Sequence, residues 1–406
     1  MVDYLKLAWR NIWRNKRRTL ITIASIFFGV LLSSFMSSMQ EGSYAQYITT
    51  IVNSYSGHLQ IHKRGYWDDK VINNSMKFDG TLTSKIAKVK DITFYTPRLE
   101  SYALASTDEF TKGVMVMGID PETENDLTSI SIKIKEGRYL EDHDGGVLLG
   151  SALAKFLKLS VNDTLVLLGQ GYHGTSAAGK YTVKGIVKQP APELDRLLVY
   201  MDIHTAQDLF SMQGMVTSVV IMVNDNDKVA PVKDKLEGLT GSEEEVMDWK
   251  EMNSLLLKQI ESDRSSGNIM KGVLYMIITF GILSTIMMMM AERKKEFGVL
   301  IAVGMKKYKL IIMLVLEIVF IGMAGVITGI MGSIPLIYYY LHNPIPLTGQ
   351  AGEMMLQMGF EPAMFFSMAP SIFYYQALII FVFTILIGLY PVYNISRLKI
   401  MSAIRN

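Results

Sequence analysis

The sequence predicts an α-helical membrane protein with four transmembrane helices and a large extracytoplasmic α+β domain inserted between spans 1 and 2. Three observations carry this. Four apolar runs, at 19–40, 269–291, 310–341 and 372–393, each supply the roughly 20 residues that cross a hydrocarbon core of about 30 Å. The runs are apolar all round, whereas soluble helices alternate faces. Lys and Arg crowd into alternate connections, and the long segment 41–268 between the first two runs is of mixed polarity.

Composition agrees. Half of the 406 residues are hydrophobic and 19% are charged, below the roughly 25% of soluble domains. A net charge of +2 supplies no global basic field for nucleic acid. The absence of cysteine excludes disulfides, thiolate metal sites and a cysteine nucleophile.

Residues 1–18 read as a cytoplasmic interfacial amphipathic helix. Leu5, Leu7, Trp9, Ile12 and Trp13 offer apolar contact, and Lys6, Arg10, Arg14, Lys16, Arg17 and Arg18 meet anionic headgroups. The apolar run that follows is longer than the core of a cleavable signal, and its helical pattern continues outward, which predicts a retained anchor. Tyr44, Tyr47, Ile48, Ile51, Val52 and Tyr55 share a face, and Ser54-Tyr55-Ser56-Gly57 is the stop. A helix over 19–54 is about 54 Å long at 1.5 Å per residue, so it stands out of the membrane as a stalk. A second amphipathic stalk is expected over 249–263, with Met252, Leu255, Leu256 and Ile260 as its stripe and Ser265-Ser266-Gly267 as a hinge. The two stalks are expected to pack together.

Between the stalks, strands are predicted at 58–62, 93–102, 114–119, 164–168, 181–187, 197–201 and 218–223. Helices are predicted at 82–89, 151–157, 203–210 and 228–236. Gly174-Thr-Ser-Ala-Ala-Gly179-Lys180-Tyr181 approaches a phosphate-loop pattern, but Tyr181 replaces the magnesium-binding hydroxyl and a strand follows instead of a helix. It reads as a hairpin tip. His58 and His62 share a strand face without a third ligand and read as ordinary strand histidines. Glu243-Glu244-Glu245 reads as a solvated turn. No catalytic, cofactor-binding or metal-binding residue is assigned.

The span at 269–291 carries Lys271 at its start, placed to snorkel. The connection 292–309 holds Arg293, Lys294, Lys295, Lys306, Lys307 and Lys309, and the tail 394–406 holds Arg397, Lys399 and Arg405. The connection 342–371 has no Lys or Arg. The positive-inside rule therefore puts both termini and 292–309 in the cytoplasm. Val299, Leu300 and Val303 give this loop an apolar side, and Gly304 punctuates it. Spacing alone leaves two readings open, a charged connector and a docking surface for a cytoplasmic partner. In the third span Gly322, Gly325, Gly329 and Gly332 form one small-residue stripe, either packing within the chain or forming a dimer seam. Glu317 is a lone carboxylate there, expected to act as a structural hydrogen-bonding group.

Arg293-Lys-Lys-Glu296-Phe-Gly298-Val-Leu-Ile-Ala302-Val-Gly304-Met-Lys-Lys resembles the R-x-x-E-[IF]-G-[VI]-L-[RK]-A-[LIV]-G-x signature of the FtsX-like permeases of ABC transporters. That family includes the lipoprotein-releasing LolC/LolE subunits and the membrane part of MacB. Trp9-Arg10-Asn11 to Thr19 is similar to the family's N-terminal helix, and Gly137-Arg138-Tyr139-Leu140 with Val147-Leu148-Leu149-Gly150 to its outside domain. The ending Arg397-Leu-Lys-Ile-Met-Ser-Ala403-Ile-Arg405 resembles R-x-x-P-x-E-A-L-R. Ile301, Ile400 and Ser402 depart from the usual residues.

The resemblance implies a MacB-like periplasmic core domain and a bacterial inner-membrane location. It implies a permease subunit without enzymatic activity, binding no cofactor itself, with ATP and Mg on a separate ATPase. The implied partners are cytoplasmic ABC ATPase subunits, a second permease subunit in a homo- or heterodimer, membrane lipids, a lipoprotein substrate and a soluble carrier, with no nucleic acid. Arg293, Lys295, Glu296, Gly298, Gly304 and Met305 would form the ATPase-docking coupling loop. The hairpin 169–180, through Gly171, Tyr172, His173 and Gly174, would be the carrier contact. Export of peptides, drugs or other amphiphiles is the alternative, and a membrane receptor is the alternative of another class.

Overall fold

The computed structural model describes residues 2–14, 16–190, 192–357 and 360–397. The tail resemblance from 398 to 405 lies outside them. The chain forms two compact units: Met1–Ala45, Gln259–Ile345 and Met364–Asn406 make one, and Gln46–Lys258 with Pro346–Ala363 the other.

The first unit is helical. Helix α1 (Val2–Arg14) precedes α2 (Lys16–Ile51), whose last turn passes into a π-helical turn at Val52–Ser56. Helices α3 (Ser254–Glu292), α4 (Lys294–Ala302), α5 (Lys307–His342) and α6 (Pro370–Ser396) follow. Four of these helices, all but α1 and α4, are long and apolar enough to cross a membrane. Ile26 and Val30 of α2, Ile278 and Ile282 of α3, Leu314 and Ile318 of α5 and Ile380 of α6 are buried among one another.

The glycines of α5 explain how the helices come so close. A Cβ on Gly325 would lie 2.6 Å from Ile26 Cβ, and one on Gly329 would lie 2.7 Å from Val30 Cβ. On Gly332 it would meet Phe27 at 2.8 Å, and on Gly322 the Thr384 hydroxyl of α6 at 2.8 Å. The stripe packs inside this chain, three positions on α2 and one on α6.

The expected hinge at 265–267 is replaced by unbroken helix. Gly267 is there for close approach: a Cβ would lie 2.5 Å from the Gln40 amide nitrogen. Around it Arg264 bonds Glu41 at 2.9 Å, Gln40 donates to the Asp263 carbonyl at 3.2 Å, and Tyr44 donates to the Asp263 carboxylate. The expected stripe over 249–263 is also broken. The Asp248 capping box opens a short helix, Trp249–Met252, which ends at Asn253, so the phase resets and Leu255 is 80% exposed.

The second unit is built on a ten-stranded sheet. Its strands are β1 (Leu59–Lys63), β2 (Ile92–Ser106), β3 (Thr111–Ile119), β4 (Ile134–Gly137), β5 (Gly146–Gly150), β6 (Thr164–Gln170), β7 (Ser176–Val187), β8 (Leu198–Asp202), β9 (Ser218–Val223) and β10 (Glu244–Asp248). The order is β10-β1-β9-β2-β3-β8-β5-β7-β4, with β6 paired to both β2 and β7. Among the described strands of this sheet only β3/β8 and β5/β7 are parallel. Helices Ser151–Leu157 and Ile203–Phe210 contribute Leu153, Ala154, Ala206 and Phe210 to the core against β2, β3, β5 and β8. Helices Gly80–Ala87 and Val229–Leu239 cover β1 and β9 with Leu82, Ile86, Val232 and Leu236.

Of the predicted solvated turn at Glu243–Glu245 only Glu243 is an exposed turn residue, and the rest is corrected: Glu244 and Glu245 begin β10, opposite Lys63 and His62. The acidic run reads as a turn because an edge strand tolerates charge on its open side. Helix Pro121–Thr128 was not predicted, although Asp120 caps it through the backbone N–H groups of Glu122 and Thr123.

That helix supplies the domain's principal buried ion pair. Arg98 of β2 bonds both carboxylate oxygens of Glu124, at 2.8 and 2.7 Å, with both side chains buried. Its remaining nitrogen donates to the Tyr55 carbonyl in the π turn. The Tyr55 hydroxyl donates to Glu100 at 2.7 Å. An orphan carbonyl at a helix end is thus satisfied by a buried cation. Gly57 then ends the helix at φ +62, where a Cβ would also strike Val220 at 2.3 Å.

His62 is buried, and its ring stacks on Trp67 at 5.7 Å. Burial, reinforced by the Lys70 charge, pushes its pKa down to about 4. The unfolded chain takes up this proton near pH 6.5, the folded chain only near 4, so stability is full above 6.5 and falls with pH between those values. The difference amounts to about 3 kcal/mol at most. Unfolding of the full chain in detergent at a series of pH values should show this loss, and His62→Leu should flatten the profile between pH 6.5 and 4. Parallel profiles for the two proteins would contradict it.

Candidate functional site

The signature segment folds as a short helix closed at both ends by identifiable contacts. After α3 ends, the Arg293 N–H donates to the Met289 carbonyl at 3.1 Å and the Phe297 N–H to the Arg293 carbonyl at 3.0 Å. Arg293 thus sits at the corner between α3 and α4, and Phe297, fully buried, fixes α4 on the bundle. At the far end the Met305 N–H bonds the Leu300 carbonyl at 2.9 Å and the Gly304 N–H bonds Ile301 at 3.1 Å, a Schellman closure. Gly304 has φ +106 with open space around it, so glycine is required there for backbone conformation and not for room.

Charge ties the corner between α3 and α4, together with α4 itself, to three other helices. Arg293 donates to Glu317 of α5 at 3.1 and 3.4 Å and to Glu296 at 3.3 Å. Arg14 of α1 meets the same Glu296 oxygen at 2.5 Å. Arg18 of α2 meets Glu292, the last residue of α3, at 2.5 Å. Three arginines and three glutamates surround a cavity of about 230 Å³, whose wall also includes Asn11, Thr19 and Thr22. Arg293 and Glu317 are buried, whereas Arg14 and Glu296 are about half exposed. The Arg14 guanidinium, assisted by Arg293, holds the Glu296 carboxyl below the usual carboxylate range.

The sequence-predicted residues divide by position. Arg293, Glu296 and Glu317 come together in this network. Gly298 is buried, and Met305 packs on the membrane-unit core. Lys295 faces outward beside the exposed Val299 and Val303, so the apolar side expected for Val299, Leu300 and Val303 is divided, with only Leu300 turned to the core. Glu317 bonds through an ion pair. Arg14 and Arg18 read in the sequence as topology charges that meet anionic headgroups, and the structure pairs them instead with Glu296 and Glu292, the latter not singled out from the sequence. Their signal is the matched spacing of four, Arg14 with Arg18 and Glu292 with Glu296.

A second polar cluster lies deeper in the bundle and was not anticipated. Gln376 of α6 accepts from Ser33 at 2.8 Å and from Tyr275, and donates to Ser37 at 3.3 Å. It joins α2, α3 and α6 by hydrogen bonds, which lipid cannot replace.

The hairpin predicted at 169–180 is the β6–β7 connection. Gly171 and Thr175 close it at 2.7 Å, and Gly174 has φ +82. Tyr172 packs on the domain core and the His173 N–H donates to Asn73 at 2.8 Å, so the tip is fastened to the domain. Gly179 and Lys180 lie within β7, paired to Leu167 and Val166, so no helix opens after them as a phosphate loop needs.

Comparison with known proteins identifies the architecture. A family model described as FtsX-like permease C-terminal matches residues 268–400, and one described as MacB-like periplasmic core domain matches residues 19–239. The chain belongs to the FtsX-like permeases of ABC transporters. The permease is similar to the lipoprotein-releasing system transmembrane protein LolC of Xylella fastidiosa, 24% identical over 59% of this chain and 59% of that protein. It thus spans about three fifths of that relative. It is similar to LolC of Neisseria meningitidis, 22% identical over 77% of this chain and 75% of that one. It is also similar to the macrolide export ATP-binding/permease protein MacB of Agrobacterium fabrum, 20% identical over 82% of this chain and 52% of that one. Among solved structures, the periplasmic region of MacB from Actinobacillus actinomycetemcomitans matches 51% of this chain and 95% of its own, at 16% identity and a TM-score of 0.37. The chain is therefore an ABC transporter permease of the LolC/MacB type, a transporter subunit carrying an extracytoplasmic α+β domain.

Glu317→Ala leaves the buried Arg293 charge with only the half-exposed Glu296 carboxylate at 3.3 Å, at a cost of about 3 kcal/mol. Glu296→Ala, at a half-exposed pair, costs about 1 kcal/mol or less. Thermal unfolding in detergent should rank them so, with Arg293→Met added to Glu317→Ala recovering most of the loss. Equal, small losses for both single variants would refute the assignment.

Proposed function

We propose that this permease transmits ATP-driven motion from a separate cytoplasmic ATPase to its extracytoplasmic domain. In this reading both termini and the connection containing α4 face the cytoplasm, and α4 is the element on which the ATPase docks. The observation that carries it is the charge network. A helix held only by its connections would swing freely when pushed. Arg14 of α1 bonds Glu296 within this one, and Glu317 of α5 bonds Arg293 at its N-terminal cap, so displacement of α4 must displace the helices to which it is bonded.

The outward strip of Lys295, Val299 and Val303 supports docking: an apolar ridge flanked by cations remains open after α4 has packed its buried side. Phe297 and Leu300 face the bundle, and the Schellman closure at Gly304 makes the end of the helix rigid. ATP and Mg belong to the ATPase in this scheme. The permease works as a pair of subunits, identical or not, in the bacterial inner membrane.

The cargo reading is extraction of lipoproteins from that membrane for transfer to a carrier, favoured by the two LolC relatives. The fastened hairpin tip at Gly171, Tyr172, His173 and Gly174 leaves His173 and Gly174 exposed for carrier contact, with Gln170, Thr175 and Ser176 exposed on either side. Export of an amphiphile is the second reading, favoured by the MacB match over 82% of the chain.

Two measurements test this. Glu296→Lys and Gly304→Val should leave the ATPase bound on co-purification but lower ATP turnover of the complex several-fold, since one breaks the tie to α1 and the other deforms the end of α4. Unchanged turnover with intact assembly would remove the coupling role. Depletion of the permease should cause lipoproteins to accumulate in the inner membrane; normal sorting of lipoproteins would transfer the cargo assignment to amphiphile export.

A further inference from the structure

Two chain reversals meet at one end of the sheet. Strands β5 and β8 pair antiparallel with Val147 opposite Met201. Continuing that register past the strands sets the turn before β5 beside the start of helix Ile203–Phe210. The contact is real: the Thr205 hydroxyl reaches the Asp144 carbonyl at 3.5 Å.

Each reversal is held in place independently of the residues it presents. Asp144 closes its turn by an N–H bond to the Glu141 carbonyl at 3.1 Å, and its carboxylate pairs with Arg138 at 2.7 Å and Lys184 at 3.6 Å. Asp202 caps the helix through the N–H groups of His204 and Thr205, at 3.0 and 3.2 Å. Between these anchors His143 takes φ +57, an αL conformation that aims its ring across the gap. The rings of His143 and His204 stack at 4.4 Å and 16°. The Asp142 carboxylate lies beside them, 3.8 Å from the His143 Nε2.

We propose that Asp142, His143 and His204 form a binding site for a divalent transition-metal ion of the zinc class. Their donor atoms lie within 4.8 Å of one another, and among the described residues no other His, Cys, Asp or Glu group does so in threes. Two ligands of a tetrahedral zinc, each about 2.0–2.1 Å from the ion, are about 3.3 Å apart. The remaining distance is within reach of ring rotation, because all three side chains are exposed and none is locked by another bond. Two imidazoles and one carboxylate suit zinc, nickel or copper; the hard ions magnesium and calcium prefer sites made of oxygen. Three protein ligands leave a fourth position for water or for a side chain of another protein. A bound ion would staple the turn before β5 to the helix after β8. This site lies outside the coupling network, so it stands or falls separately from the proposed function.

The test uses the full chain in detergent, stripped with chelator and titrated with zinc chloride by calorimetry. One saturable equivalent per chain is expected, with magnesium chloride unable to compete. His204→Ala and His143→Ala should each weaken binding by at least the about 10–100-fold that even loss of an outer partner costs. His173→Ala, an exposed histidine elsewhere on the domain, should bind as the parent does. The matching thermal scan should show zinc raising the midpoint of the parent and of His173→Ala only. No saturable zinc binding, or binding unchanged in both His143→Ala and His204→Ala, would overturn the proposal. His143 sits in an exposed turn, so its variant remains informative if His204→Ala folds poorly.

Discussion

The buried pair of Arg293 and Glu317 is the constraint on which the membrane unit's arrangement depends. A carboxylate inside an apolar helix is costly unless a cation reaches it. Glu317 lies about three turns into α5, and among the described residues the guanidinium that hydrogen-bonds it comes from the corner between α3 and α4. That corner must therefore fold back against α5, and Phe297 follows it into the core. Once α4 lies there, Glu296 falls within reach of Arg14, and Glu292 within reach of Arg18. The half-exposed pairs add little stability themselves. They fix where α1 and the start of α2 lie relative to α4, which is a matter of position more than of energy.

The extracytoplasmic domain uses the same device on a different helix end. Arg98 and Glu124 are a second buried, bidentate pair, and the spare guanidinium nitrogen takes the Tyr55 carbonyl of the π turn. Helix α2 runs without interruption from Lys16 to Ile51, and the π turn that follows it is the one this second pair holds. Within the membrane unit its flank is secured by the glycines of α5 and by the Gln376 hydrogen bonds. Removal of side-chain bulk at Gly325 and Gly329 permits contacts that dispersion alone must stabilise in lipid, and the amide adds direction to them.

Much of this was legible in the sequence where the information is local. Periodicity and flanking residues give Ser151–Leu157, Ile203–Phe210 and Ser218–Val223 with their observed ends. Hydropathy gives the long helices, and the glycine stripe gives a packing face. What failed was decided by partners distant in the chain. The Glu243–Glu245 run looks solvated until β1 offers it an edge to pair with. Ser265-Ser266-Gly267 looks like a hinge until Gln40 is seen to occupy the space that a Cβ on Gly267 would take. The matched charge spacings at Arg14/Arg18 and Glu292/Glu296 were visible, yet nothing in a single sequence says that these segments face each other across 274 and 282 positions.

The most direct measurement is a charge exchange at the buried pair. ATP turnover of the purified permease–ATPase complex would be compared for Arg293→Glu, Glu317→Arg and the two together. If α4 transmits motion through this bond, each single change lowers turnover sharply and the exchanged pair restores a substantial part of it. If the single variants assemble and turn over normally, or if the exchanged pair assembles but remains as slow as either, the pair does not couple the loop to the bundle and the account is wrong.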